Sequence, residues 1–163
     1  HGVDLTRYPW PFDDSSVLEL HCSHYVEHIE MEYVDARGER VRGWQDGKEA
    51  MFAFFDECYR ILVPGGVMTV LVPCSRNDRA FQDPTHRRFM TAQTFLYLAK
   101  EWRDLNKLDH YKVDCDFGIN VVPIVDVSLT LMHQEAAARK MNAEWNTIQD
   151  WQATLVSKKP APK

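Results

Sequence analysis

Two short strings hold the residues best suited to chemistry. From His21 to Glu30 the chain reads HCSHYVEHIE, and within it His24, Glu27 and His28 spell HxxEH. That spacing is the inverted zinc-peptidase signature, in which two histidines one helical turn apart hold the metal and the glutamate activates water. Further on, DPTH sets Asp83 and His86 in a proline-stiffened turn, followed at once by Arg87 and Arg88. An imidazole with an ordinary pKa near ~6.5 can remove a proton from a hydroxyl or amine, above all when a carboxylate orients it. Asp83 and His86 are therefore a candidate catalytic pair, and Arg87 or Arg88 can grip an acidic or phosphorylated substrate. A structural alternative is as concrete: Asp83 caps a turn, His86 bonds a backbone carbonyl, and both arginines are solvated.

The zinc reading needs a third ligand and an open coordination position. Glu101, Asp104 and His133 are of suitable type, but nothing in their context singles one out. Five-residue motifs of common residue types also recur by chance. No metal ligands are assigned on this basis.

The elements that must position these residues follow from periodicity. VLELHC, ending at Cys22, reads as a buried strand after the turn-like FDDSS, and a helical turn follows through Tyr25 to Ile29. VDARGERVRGWQDG reads as an exposed loop or small excursion. From Lys48 to Leu62, the residues Met51, Phe54, Phe55, Cys58, Ile61 and Leu62 repeat at helical spacing, with Asp46 placed to cap the start. The helix is expected to end at VPGG, where paired glycines allow a tight reversal into VMTVLVP, a strand covered on both faces. Thr91 can cap a second helix carrying Phe95, Leu98 and Trp102 on one face. HYKVDCDF alternates like an edge strand, the region 128–145 is rich in helix formers, and WQATLVS reads as the last strand. Trp10 and Phe12, between prolines, are expected to pack in the core.

The bulk properties bound the function classes. A chain of 163 residues with 45% hydrophobic and 26% charged residues fits one folded domain spanning 1–163. The net charge of −5 and the lack of a basic block argue against nucleic acid as a main partner. Four scattered cysteines without a CxxC pair read as free thiols of a reducing compartment, so a cytoplasmic location is expected. No apolar run approaches the ~20 residues of a spanning helix, so no membrane partner is expected.

Taken in order, VDLTRYPWPFDDSSVLELHCSHYVEHI, FFDECYRILVPGGVMTVLVP and DPTHRRFMTAQTF resemble the class I S-adenosylmethionine-dependent methyltransferases, the last string resembling small phage-borne or environmental members. The resemblance runs from about Val3 to Phe95, with a looser echo in the last strand. It implies an α/β, Rossmann-like, mostly parallel sheet with flanking helices. It also implies S-adenosylmethionine as cofactor and methyl transfer to an acceptor, small molecule or macromolecule, that the residues do not identify. By the same resemblance Asp4 accepts a hydrogen bond from the adenine amino group and Leu5 touches the ring. Ser23 and His24 lie beside the methionine and sulfonium end; Tyr25 and Arg87 are taken, apart from the resemblance, as substrate-binding candidates. The family's glycine-rich turn after its first strand and the acidic residue after its second have no counterpart, so the N-terminal strands are expected to be missing and the chain to be a partial domain. The competing expectation is a degenerate binding or assembly module, with an exposed sheet edge that would drive homo-oligomerisation.

Overall fold

The computed structural model describes residues 2–43 and 48–161. After an irregular N-terminal segment, strand β1 (Val17–Ser23) leads into a 3-10 turn (Val26–His28) and a small hairpin of β2 (Tyr33–Val34) and β3 (Arg40–Val41). Helix α1 (Ala50–Ile61) and strand β4 (Leu62–Pro73) follow, then a short helix α2 (Arg79–Gln82), a 3-10 segment (Ala92–Leu98) and α3 (Lys100–Leu105). Strand β5 (Phe117–Val125), helices α4 (Val127–Thr130) and α5 (Gln134–Ala143) and strand β6 (Ile148–Ser157) complete the chain.

The apolar stripe of α1 is buried as its spacing requires, with Phe55 and Ile61 almost wholly inaccessible. Fully burying each such side chain stabilises the fold by roughly 1.5–3 kcal/mol. Asp46 lies outside the described residues; the start of α1 is capped by Glu49, whose carboxylate accepts from the Met51 amide at 2.9 Å. Thr91 does cap the later helical segment, in a reciprocal box with Thr94. That segment divides into a 3-10 stretch and α3 rather than forming one α-helix.

Pro64, Gly65 and Gly66 do not form a reversal between helix and strand. α1 passes straight into β4 at Leu62, and the glycines are a bulge inside the strand, where pairing jumps from Val17 with Leu62 to Glu19 with Val67. Gly65 takes φ +74°, and a Cβ on Gly66 would sit 3.0 Å from the Val63 carbonyl oxygen and 3.1 Å from that of Leu18. Both glycines are needed for the backbone to bend this closely against β1.

The main sheet has the order β1-β4-β6-β5. β1 and β4 run parallel and adjacent, Cys22 opposite Val70 and Ser23 opposite Leu71, with α1 as the crossover between them. The α/β class stands, but a mostly parallel sheet does not describe these strands: β6 runs against both its neighbours, so one pairing is parallel and two are antiparallel. Along β4, Met68, Val70 and Val72 are fully buried while Val67, Thr69 and Leu71 are half-buried, so one face is covered more completely than the other.

The edge strand expected over 110–117 is displaced. β5 begins only at Phe117, because the backbone before it is bonded by side chains: the Arg103 guanidinium donates to the carbonyls of Val113 and Cys115, and Asp56 accepts from the amides of Asp114 and Cys115. The N-terminal segment is tied to α1 in a similar way. Glu57 accepts from the Trp10 amide at 2.6 Å, and Arg60 donates to the carbonyls of Trp10 and Phe12. Trp10 is thereby held in the core, whereas Phe12 is 44% exposed and does not join it. All four cysteines are buried free thiols, and no helix among the described residues is long and apolar enough to cross a membrane.

Candidate functional site

In open α/β sheets ligands bind at the carboxyl ends of the strands, and β1 ends at Ser23. The His24 amide donates to the Leu71 carbonyl at 2.9 Å, and the chain then leaves the strand with His24 at φ +51°. Along the free edge of β1 lies a cavity of about 310 Å³, walled by Leu5, Trp10, Ser23, Tyr25, Phe54 and Cys58. That volume is at the small end of the range of about 300–1,000 Å³ usual for ligand pockets. Leu5 reaches it because the N-terminal segment is pinned on both sides, Thr6 and Tyr8 pairing with the backbone of Val34 and Trp10 bonding Glu57 and Arg60 of α1. Tyr25 packs on Phe54 at a centroid distance of 5.4 Å, and burial raises its phenol pKa. At the base, burial and the neighbouring Glu27 push the Cys22 thiol up to about 12, so it is a neutral wall and not a nucleophile.

Three residues marked from sequence, Leu5, Ser23 and Tyr25, therefore meet in one cavity. Asp4 and His24 flank it without lining it. Asp4 is exposed, and its carboxylate accepts from the hydroxyl and amide of Thr6, which hold its pKa below the usual value. A larger open cleft of about 720 Å³ lies beside Asp14 and Ser15, at the amino end of β1. Lys48 there is paired with Asp56 and Arg60 with Glu57, and the cleft lies at the opposite end of β1 from the carboxyl ends of the parallel strands, so the smaller cavity is the better candidate.

HxxEH does not form the peptidase arrangement. Residues 26–28 make a 3-10 turn, whose three-residue period aligns i with i+3, and His24 Nδ1 accordingly lies 3.2 Å from Glu27 Oε1. His28 turns instead to the DPTH segment, its ring 4.6 Å from that of His86 and its Nδ1 3.0 Å from the Thr85 hydroxyl. Glu27, His28 and His86 offer potential ligand atoms within 4.8 Å of one another, a grouping that no local spacing announces.

Within DPTH two contacts of the structural alternative are present. Asp83 accepts from the Thr85 amide and hydroxyl, which lower its pKa, and His86 Nδ1 donates to the Ala80 carbonyl at 2.9 Å. The carboxylate expected to orient His86 is thus engaged elsewhere. Arg87 is largely exposed and sits 3.6 Å from Glu30. Arg88 is not freely solvated: its side chain is mostly covered, donating to the carbonyls of Ile29 and Glu30 and pairing with Glu49. The segment docks on the 3-10 turn through the amides of Arg87 and Arg88, which donate to the Glu27 carbonyl at 2.7 and 3.1 Å.

No protein-family profile and no curated protein match the sequence. Solved structures do. A SAM-dependent methyltransferase from Archaeoglobus fulgidus superposes with a TM-score of 0.54 at 15% identity, over 90% of this chain and 62% of that one. This chain has the class I methyltransferase fold. A chain of the complex between the Haloferax volcanii Trm112 methyltransferase activator and a candidate methyltransferase matches at TM-score 0.50 and 14% identity, over 98% of this chain and 61% of that one. The chain spans about three-fifths of the length of each structure. Within the methyltransferase fold, the parallel pair β1 and β4 supplies the strand ends that frame the cavity.

Proposed function

We propose that the chain carries part of the cofactor and acceptor site of an S-adenosylmethionine-dependent methyltransferase. The observation that carries this reading is the cavity at the end of β1, in which Leu5, Ser23 and Tyr25 converge within a methyltransferase fold. Leu5 is assigned to the adenine ring with Asp4 beside it, Ser23 and His24 to the methionine end, and Tyr25 to the wall between cofactor and acceptor. Arg87, exposed on the neighbouring turn, is assigned to an acidic acceptor. Methyl transfer from a sulfonium needs an acceptor aligned with the methyl group and water excluded, so orientation carries much of the rate and no protein nucleophile is required. The acceptor belongs to an unidentified class, small molecule or macromolecule.

The test is calorimetric titration with S-adenosylhomocysteine of this chain and of any longer form of it. Saturable binding by either, abolished by Ser23→Trp filling the cavity, supports the assignment. No binding by either form rejects it. A second reading, a binding module without catalysis, is favoured by one observation: β1 is an edge of the described sheet, and Leu18 on it is 75% exposed. Edges of that kind pair with a further strand. Stable self-association together with no cofactor binding would favour the module.

A further inference from the structure

We propose that Glu27, His28 and His86 form a binding site for a divalent first-row transition metal of the zinc class. The site is independent of the cofactor assignment above. It differs from the HxxEH reading, because it takes the Glu-His pair of that motif and completes it with a histidine from the DPTH turn rather than with His24.

Geometry comes first. The three side chains place potential ligand atoms within 4.8 Å of one another. Tetrahedral bonds of about 2.0–2.1 Å put ligand atoms roughly 3.3 Å apart, so closure needs movements of about 1.5 Å at most. His28 and His86 are only half-buried and can make them by small side-chain rotations.

The hydrogen bonds then fix which ring nitrogen of each neutral imidazole carries the proton. His86 Nδ1 faces the Ala80 carbonyl, which can only accept, so the proton is on Nδ1 and the lone pair on Nε2. The Thr85 hydroxyl gives its single proton to Asp83 at 2.7 Å, so it accepts from His28 Nδ1, which leaves the His28 lone pair on Nε2 as well. Orientation by a carbonyl on one ring and a hydroxyl-carboxylate relay on the other is how metal-binding histidines are held in the ligating tautomer.

An independent observation comes from the carboxylate. Glu27 is 1% exposed, and its Oε2 is buried without a hydrogen-bond partner. Its other oxygen meets only His24 Nδ1, on a side chain 38% exposed. A buried anionic oxygen with no donor is costly, and a cation between it and the two imidazoles removes that cost. Two nitrogens and one oxygen suit zinc, iron(II), cobalt or nickel, and not calcium or magnesium, which take oxygen ligands. Three protein ligands leave a coordination position for water or another small donor. The ion would join the 3-10 turn after β1 to the DPTH turn, which already meet through the Glu27 carbonyl.

Zinc titration of the chain by equilibrium dialysis, with Zn²⁺ alone as probe, tests the site. One zinc per chain is expected, with affinity lost in His28→Ala, His86→Ala and Glu27→Gln and kept in the control His133→Ala. Thr85→Val leaves all three ligands in place and is expected to weaken binding by about 10–100-fold through the relay alone. X-ray absorption at the zinc edge of the unmodified chain should show two imidazoles, a readout that needs no variant to fold. No saturable binding, binding unchanged in His28→Ala and His86→Ala, or a zinc shell without two imidazoles would overturn the proposal.

Discussion

Arg88 offers a sharp test of how the DPTH turn is held. Its side chain is 12% exposed and that of its partner Glu49 only 6%, and the same guanidinium donates to the Ile29 and Glu30 carbonyls at 3.1 and 3.0 Å. Arg88→Ala leaves the Glu49 carboxylate buried without its countercharge, a loss of about 3–5 kcal/mol. Arg87→Ala removes a contact at 3.6 Å between side chains 44% and 59% exposed, which is worth at most about 1 kcal/mol. At about 2–4 °C per kcal/mol for a chain of this size, Arg88→Ala should lower Tm by roughly 6–20 °C and Arg87→Ala by no more than about 4 °C. Urea denaturation, read as a midpoint shift at constant slope, gives the same comparison isothermally. Replacing both members, Arg88→Met with Glu49→Met, removes the stranded charge; it adds the lost α1 cap, about 0.5–2 kcal/mol, to the two carbonyl bonds that Arg88→Ala also loses, so the double variant should be milder than Arg88→Ala. If Arg88→Ala and Arg87→Ala agree to within about 0.5 kcal/mol, the charge is not buried as described and the reasoning fails.

Alkaline pH should destabilise the fold. Burial raises the Cys22 thiol from the ordinary 9.0 to about 12 and also raises Cys58, Cys115 and Tyr8, so the unfolded chain loses these protons first. Their contribution is complete below pH 9 and declines as pH rises from 9 to about 12, which a series of urea midpoints across that range would register. A stability flat to pH 12 would contradict it. The four buried thiols, Cys22, Cys58, Cys74 and Cys115, should be inert to an aromatic disulfide reagent at pH 8 in the native state, where the Cys22 thiolate fraction is on the order of 10⁻⁴, and all four should react once unfolded; rapid native labelling would refute their burial. In the β4 bulge, Gly66→Ala should cost about 1–3 kcal/mol because its Cβ meets two backbone carbonyls. Gly65→Ala meets nothing and should cost about 1–2 kcal/mol from its positive φ alone, so Gly65→Asn should be milder; equal effects of Ala and Asn at Gly65 would remove the conformational explanation.

How far the site could be read from sequence depends on the range of each interaction. Ser23 and Tyr25 follow β1 directly, so once VLELHC is a strand their place at its end is settled locally. Leu5 reaches the same cavity through long-range ties, the pairing of Thr6 and Tyr8 with Val34 and the bonds of Glu57 and Arg60 to Trp10, and the apolar stripe of α1 says nothing of what its charged side bonds. The DPTH turn was visible as a turn, yet whether Asp83 served His86 or Thr85 was a choice between neighbours made by backbone geometry. The contact of His28 with His86 left no trace in any local pattern, because it joins segments on either side of α1 and β4.

The amino-acid order alone determined the amphipathic helix α1, the apolar strand β4, the capping residue Thr91 and hence an α/β unit. These rest on periodicities and caps spanning a few residues, and a folded chain preserves them. Tertiary structure alone decided that β6 runs against both its neighbours, that the paired glycines bend a strand rather than end a helix, and that Arg88 is paired with Glu49. It also decided which histidine meets Glu27 and which meets its neighbour's ring. Pairing direction and buried partners are fixed by which surfaces remain to be covered once the elements exist, and that is a property of the whole chain rather than of any window along it.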